Sequence, residues 1–328
     1  MKPKILISRV IPEPAVELLR RHCEVDYNSG DRPLGRAGLV RRLKGKRGLV
    51  CLLTDDIDDA VLASPGLEMA ANVAVGFNNV DVAAATRRGV LISNTPGVLT
   101  ETTADFAWTL LLAAARRVGE AERFLRAGKY KGWGILMLLG VDVHGKTLGL
   151  VGLGRIGQAV ARRARGFGMR LLYTDLSRAT PEAEKEAGAE FVPLERLLKD
   201  SDFVSLHVPL LESTRHMIGE RQFAMMKPTA VLVNTSRGPV VDEAALVRAL
   251  KARRIAGAGL DVYEREPKLS PGLAKLENAV LAPHIASATV ETRTKMAMMA
   301  AENLLAGLNG QRPPNLANPE CWDARAKA

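Results

Sequence analysis

The chain reads as an α/β protein built on two doubly wound parallel sheets. Short apolar strands alternate with helix-length segments through most of its 328 residues, and at residue 147 a glycine-rich turn restarts the alternation. The length is also sufficient for two cores of ordinary size. Repeated βα units of this spacing place strands side by side in parallel and cover both sheet faces with helices.

In the N-terminal half the apolar run Lys4 to Ser8 predicts a strand, followed by a helix near 12–22, a strand near 24–27, a helix near 35–44 and a strand over 48–54. A short helix near 57–63, a strand over 69–75, a helix over 79–88 and a strand over 90–93 complete this half. The segment Thr100 to Arg116 carries an N-cap threonine, early acids and terminal arginine, the signals of a helix. Its apolar surface is wider than one core needs, which predicts an interdomain or subunit contact. In the second half strands are expected near 147–151, 170–174, 203–208, 230–234, 257–261 and 279–282. A helix near 290–308 closes the chain, with Met296, Met298 and Met299 read as packing residues.

Composition narrows the class. Hydrophobic residues make up 47% and charged residues 25%, as in ordinary globular proteins. No apolar run approaches the roughly 20 residues a bilayer span requires. The first residues lead straight into a strand without a signal-peptide core, so the expected location is the cytoplasm. Cys23, Cys51 and Cys321 show no metal or redox spacing and are read as reduced thiols, and no metal site is expected. The net charge is +10, yet aromatics are only 4% and the arginines are scattered, so a solvated basic surface is favoured over a nucleic-acid interface. A positive field would speed the capture of anions.

The most specific signal lies at 147–157. The strand Leu148 to Val151 enters a GxGxxG turn, Gly152, Leu153, Gly154, Arg155, Ile156, Gly157, and a helix follows with Ile156, Val160, Ala164 and Phe167 along one face. The first glycine permits the turn, the second lets a pyrophosphate approach the backbone, and the third lets helix pack on strand, while the helix N-terminus offers free N–H groups. About 20 residues on, Asp175 follows a second strand, where a carboxylate can accept from both ribose hydroxyls. That predicts a dinucleotide site and favours NAD over NADP, although Arg178 nearby could soften the preference.

Chemistry-bearing residues follow three later strands. Arg237 ends the run Val231 to Gly238 and can grip a carboxylate with its planar fork. Asp261 and Glu266 follow the strand near 257–261, and His284 follows the strand near 279–282. The carboxyl edge of an open α/β sheet is where ligands bind, so together these groups predict an active site.

The pattern resembles the D-isomer-specific 2-hydroxyacid dehydrogenase family over essentially the whole chain. It is most similar to the glyoxylate/hydroxypyruvate reductase branch, through Val75 to Asp81 and Asn94 to Thr100. The resemblance implies that Arg237, Glu266 and His284 form the catalytic set. His284 would protonate the carbonyl oxygen of a small anionic 2-oxoacid during hydride transfer, Glu266 would orient the ring and favour its protonated form, and Arg237 would hold the substrate carboxylate. Val75 and Gly76 would add backbone N–H groups to the carboxylate site. On the cofactor side it implies Thr103 near the nicotinamide, Thr235, Asp261 on the carboxamide, and His207 and Pro209 near the adenine, with a structural role for His207 equally open. Ala286 departs from the glycine that many members carry. His22, His144 and His216 are read as surface residues.

The resemblance further implies a Rossmann cofactor domain, 99–286, inserted into a flavodoxin-like substrate domain of 1–98 and 287–328, with the cleft between them. It implies a homodimer in which the helix from Glu101 takes part. Trp133 has two readings: a ring packed on its own subunit, or one reaching the partner's substrate pocket. Two other functions stay open, a 3-phosphoglycerate or D-lactate dehydrogenase and a non-enzymatic NAD-sensing protein of the same fold.

Overall fold

The computed structural model describes residues 2–325. It divides into two units: one takes the chain up to Leu99 and from Ala288 onward, the other is Thr100–Ser287.

The first unit runs β1 (Lys4–Ile7), α1 (Glu13–His22), β2 (Glu24–Tyr27), α2 (Gly35–Leu43), β3 (Gly48–Cys51), α3 (Asp59–Leu62), β4 (Met69–Asn72), α4 (Val82–Arg87) and β5 (Leu91–Ser93). Its sheet is parallel in the order β2-β1-β3-β4-β5, with Ile5 beside both Val25 and Gly48. Because side chains alternate along a strand, Ile5 and Ile7 face one layer and Leu6 the other. Ile5, Ile7, Val50 and Met69 pack with Ala297, Ala300 and Leu304 of the long C-terminal helix, while Leu6 and Leu49 pack with Leu39, Leu43 and Ile92. Met296 is buried in that helix and Met298 packs on its core, as a packing role requires.

β3 and β4 each end three residues before the expected boundary. Asp55 accepts from the Leu52 N–H at 2.9 Å and from the Ser8 hydroxyl, which folds the chain after Cys51 into a turn. After β4, Asn72 donates from Nδ2 to the Gly76 carbonyl at 3.2 Å. Short polar side chains compete with the sheet for backbone groups and divert the chain from it.

The second unit runs α5 (Thr100–Ala115), α6 (Val118–Arg126), β6 (Thr147–Val151), α7 (Arg155–Ala164), β7 (Arg170–Thr174), α8 (Pro181–Ala187), β8 (Ala189–Phe191), α9 (Leu194–Asp200), β9 (Phe203–Leu206), α10 (Glu220–Met225), β10 (Val231–Asn234), α11 (Glu243–Lys251), β11 (Gly257–Leu260) and β12 (Ala279–Leu281). Its seven strands are parallel in the order β12-β11-β10-β9-β6-β7-β8, so the winding reverses between β6 and β9. The chain then returns to the first unit through α12 (Val290–Leu308) and α13 (Pro319–Arg325).

Thr100 lies in the first turn of α5 instead of capping it, and Arg116 falls just beyond the last turn. Much of the apolar surface of α5 is used inside its own unit. Trp108 stacks on Phe167 with centroids 4.7 Å apart, and its indole N–H donates to the Val160 carbonyl at 3.1 Å. The edge strand β8 and the helix α6 were not expected from the sequence, because Ala189 to Phe191 is too short to show alternation. Among the described residues no helix is long and apolar enough to cross a membrane.

Candidate active site

At the β6–β9 reversal the glycine turn is built as its spacing demands. Gly152 has φ 98°, and a Cβ there would lie 2.8 Å from the His207 carbonyl oxygen. A Cβ on Gly157 would collide with the Gly152 carbonyl, so only glycine lets α7 approach the turn. Gly154 is different: a Cβ there would meet no protein atom within 4 Å. Its backbone opens to the outside, which fits a phosphate group better than any internal packing need. α7 has no side-chain cap and no acid in its first turn, and the N–H groups of Gly154, Arg155 and Ile156 have no acceptor among the described residues. A helix terminus left this way attracts an anion.

Past β11 and β12, His284 and Glu266 meet. The His284 Nδ1 lies 2.9 Å from Glu266 Oε2, and the other carboxylate oxygen accepts from the Tyr263 N–H at 3.0 Å. Burial acts to raise the Glu266 pKa, but the hydrogen bond and charge of His284, the Tyr263 N–H and Arg237 outweigh it and hold the carboxyl below its usual value.

The backbone of His284 has φ 56°, a left-handed conformation uncommon for a side chain of this size. Asp261 holds it there. Its carbonyl accepts from the His284 N–H at 2.8 Å, and its carboxylate accepts from Ile285 N–H at 2.7 Å and Ala286 N–H at 2.8 Å. Asp261 is 0% exposed, and although these N–H groups and His284 stabilise the ionised form, burial pushes its pKa up. Both carboxylate oxygens of Asp261 thus take part in forming the histidine turn, and each keeps a further acceptor site.

Arg237 follows β10 and donates from Nη1 to the Ser236 carbonyl at 2.7 Å. It makes no ion pair among the described residues, although burial disfavours its charge and lowers its pKa, with Glu266 acting in the opposite sense. A half-buried guanidinium left without a carboxylate is a receptor for an incoming one.

Residues 108–286 match the family model for the D-isomer-specific 2-hydroxyacid dehydrogenase NAD-binding domain. The chain is 58% identical over 329 aligned positions to a glyoxylate reductase of Korarchaeum cryptofilum, covering 99% of this chain and 98% of that protein. It is 55% identical to a glyoxylate reductase of Thermococcus kodakarensis, with 99% of each chain covered. The chain belongs to the D-isomer-specific 2-hydroxyacid dehydrogenase family. Among solved structures of this family, it is similar to the NADPH-dependent glyoxylate/hydroxypyruvate reductase of Sinorhizobium meliloti, determined with NADP and malonate: TM-score 0.87, 34% identity, 97% of each chain covered.

The remaining expected residues of this 2-hydroxyacid dehydrogenase differ in how far they are already engaged. Thr235 is buried and its hydroxyl has no partner among the described residues, so it fits a ligand contact. Asp175 accepts from the Leu153 N–H of the glycine turn at 2.9 Å and from its own neighbour Leu176 at 2.8 Å. Arg178 is drawn away into a two-pronged contact with Glu184 at 2.8 and 3.0 Å. His207 backs the glycine turn with its carbonyl, and its Nε2 lies 2.9 Å from the Ser205 hydroxyl. Burial pushes its pKa down to about 4, so the ring is neutral at physiological pH. Pro209 is exposed beyond β9, and Thr103 is buried in the first turns of α5.

In the first unit, Val75 and Gly76 form the loop after β4. Their carbonyls accept from Asn94 Nδ2 at 2.7 Å and Asn72 Nδ2 at 3.2 Å, while their N–H groups have no acceptor among the described residues. Trp133 is 77% exposed, so the reading of a ring packed on its own chain is overturned. His22, His144 and His216 are exposed as expected, although His216 also lies 3.0 Å from Glu264. The three cysteines are free and buried, and the described residues contain no metal-binding cluster. Glu243, whose buried carboxylate ties the Glu266 loop, was not singled out from the sequence; an acid at a helix start reads there as an ordinary first-turn residue.

Proposed function

We propose that this dehydrogenase reduces a small 2-oxoacid, glyoxylate or hydroxypyruvate, to its 2-hydroxy acid with NADH. The observation that carries the substrate class is Arg237, a half-buried cation without a carboxylate partner, within electrostatic reach of the His284–Glu266 pair. The glyoxylate reductases similar to it over nearly their full length support the choice of oxoacid.

The nicotinamide supplies the hydride when bound. Arg237 grips the substrate carboxylate, and His284 donates a proton from Nε2 to the carbonyl oxygen as charge develops there. Glu266 holds Nδ1, fixes the ring plane and stabilises the imidazolium. The His284 side chain is 28% exposed, so solvent can return the proton. The free N–H groups of Val75 and Gly76 are further donors suited to a carboxylate. Asp175 favours NADH, since a 2′-phosphate would meet its charge, and the tie of Arg178 to Glu184 supports that preference.

A homodimer is part of this reading. α6 buries none of its residues, and it opens an exposed apolar stretch: Leu125 at 62%, Trp133 at 77%, Ile135 at 71% and Leu136 at 77%. Such a patch calls for a covering partner. A second copy is assigned as that partner, with Trp133 bearing on its substrate selectivity. Sedimentation should give twice the chain mass, and Trp133→Ala should broaden the oxoacid profile without changing the KM for NADH.

A panel of 2-oxoacids monitored by NADH absorbance tests the whole reading. Glyoxylate and hydroxypyruvate should be turned over faster than pyruvate or 3-phosphohydroxypyruvate. Faster turnover of either of the latter would reject the substrate assignment and favour a lactate- or phosphoglycerate-type enzyme, and no turnover of any would favour an NAD-sensing protein.

A further inference from the structure

Glu243 is the first residue of α11, is 3% exposed, and lies outside the set that touches substrate or cofactor in the reading above. A buried carboxylate is costly unless its oxygens are satisfied. Among the described residues they are satisfied from one loop only. One oxygen accepts from the Glu264 N–H at 2.7 Å and the other from the Ser270 N–H at 2.7 Å. These two donors stand on either side of Glu266, so a single carboxylate closes the loop that carries the partner of His284.

Two other contacts fix the near end of the same loop. The Glu264 carboxylate accepts from the Glu243 N–H at 3.3 Å, so the two residues hold each other reciprocally, and its other oxygen lies 3.0 Å from His216 Nε2. Gly238, next to Arg237, is pressed against the Tyr263–Glu264 peptide so closely that a Cβ would collide with it. The Arg237 turn, the Glu266 loop and the start of α11 therefore meet at one place. At the loop's tip the Glu266 side chain is partly exposed, and beyond its bonds to Tyr263 and His284 nothing else holds its carboxylate by hydrogen bond among the described residues. The aim of that carboxylate depends on how the base of the loop is held.

We propose that Glu243 is a positioning residue for the reduction: its buried carboxylate staples both ends of the 264–270 loop and so holds Glu266 against His284. The inference rests on the reading of Glu266 and His284 as the acid–base pair. It assigns Glu243 an effect on proton donation that a role in fold stability alone would not produce.

The test compares Glu243→Gln, Ser270→Pro and Glu266→Gln with the unaltered enzyme, using glyoxylate and NADH across pH, with NADH affinity and thermal melting measured in parallel. Glutamine keeps the shape of Glu243 but turns one acceptor into a donor facing an N–H. Proline at 270 removes one of the two donors and leaves Glu243 intact, which keeps the proposal testable if the glutamine variant does not fold. The groups facing Glu266 are His284, Arg237, Asp261 and Tyr263, and those around Glu243 are Glu264, Tyr263 and, through Glu264, His216; none is altered in the Glu243 and Ser270 variants.

With Glu266 held less well, its contact with His284 Nδ1 should support proton donation less. The alkaline limb of kcat should move toward acid by about half a unit or more, and kcat should fall about tenfold, while NADH affinity stays within a factor of two. Lower melting with an unmoved limb and normal kcat overturns the proposal. If Glu266→Gln moves the limb and the other two variants do not, the staple fails and the catalytic pair stands. If Glu266→Gln leaves the limb unmoved, the pair itself is misread and the proposal falls with it.

Discussion

The two units use the same architecture differently at the equivalent point. In each, a central strand leads through a turn into a helix beside the place where the winding reverses, β1 to α1 in the first and β6 to α7 in the second. α1 follows Pro12 with Glu13 and Pro14 in its first turn, and the turn before it is closed by the Ser8–Asp55 contact. α7 starts at a glycine, carries no first-turn acid, and leaves its N–H groups open. An acid at a helix start already supplies the negative charge that the dipole favours, whereas an open glycine turn leaves that place for a ligand. The same winding can thus be closed or receptive, and a few residues at one strand end decide which.

The largest test of this contrast is at the chemistry that the second unit carries. His284→Ala should lower kcat by roughly 10²–10⁴-fold, with NADH affinity little changed, since the ring lies outside the glycine turn. Steady-state kinetics and NADH fluorescence titration read both numbers, and a loss below tenfold would mean that another group supplies the proton.

A smaller effect should separate the two turns directly. Gly157→Ala forces a methyl group against the Gly152 carbonyl and should weaken NADH by about 1–3 kcal/mol of strain. Ser8→Ala removes the hydroxyl that Asp55 accepts from and should lower stability by about 1–3 kcal/mol with no change in the Kd for NADH. If the two variants affect NADH equally, the distinction between closed and receptive turns is wrong.

The smallest effect concerns which dinucleotide is preferred. Asp175→Ala should narrow the ratio of kcat/KM for NADH over NADPH by about tenfold, the equivalent of one removed charge repulsion of roughly 1.4 kcal/mol. Some loss with NADH itself is also expected, because Asp175 accepts from the Leu153 N–H of the glycine turn. A native preference for NADPH would mean that Arg178 leaves Glu184 to bind the 2′-phosphate.

Local patterns made much of this legible in the residues themselves. Strand positions follow from runs such as Lys4 to Ile7 and Thr147 to Val151, because a two-sided buried strand must be apolar along its length. The glycine turn is legible because Gly152 and Gly157 answer to steric demands within a few residues of chain. Arg237, Glu266 and His284 could each be placed after a strand by the same reasoning. Their meeting could not be derived from spacing, since it depends on β10, β11 and β12 lying side by side.

Tertiary structure alone decided the partners of the buried polar groups. Nothing in the composition of Gly259 to Pro267 distinguishes Asp261, whose carboxylate forms the histidine turn more than twenty residues away, from Glu266, whose carboxylate meets the ring. Glu243 looks like any acid at a helix start until the loop 264–270 folds over it. Trp133 likewise gives no local sign of whether its ring is covered, and in the folded chain it stands exposed. Apolar periodicity reports which face of an element is buried because burial acts on every residue of that face. A hydrogen bond between distant groups leaves no periodic trace, so its partner is known only when the fold brings the two together.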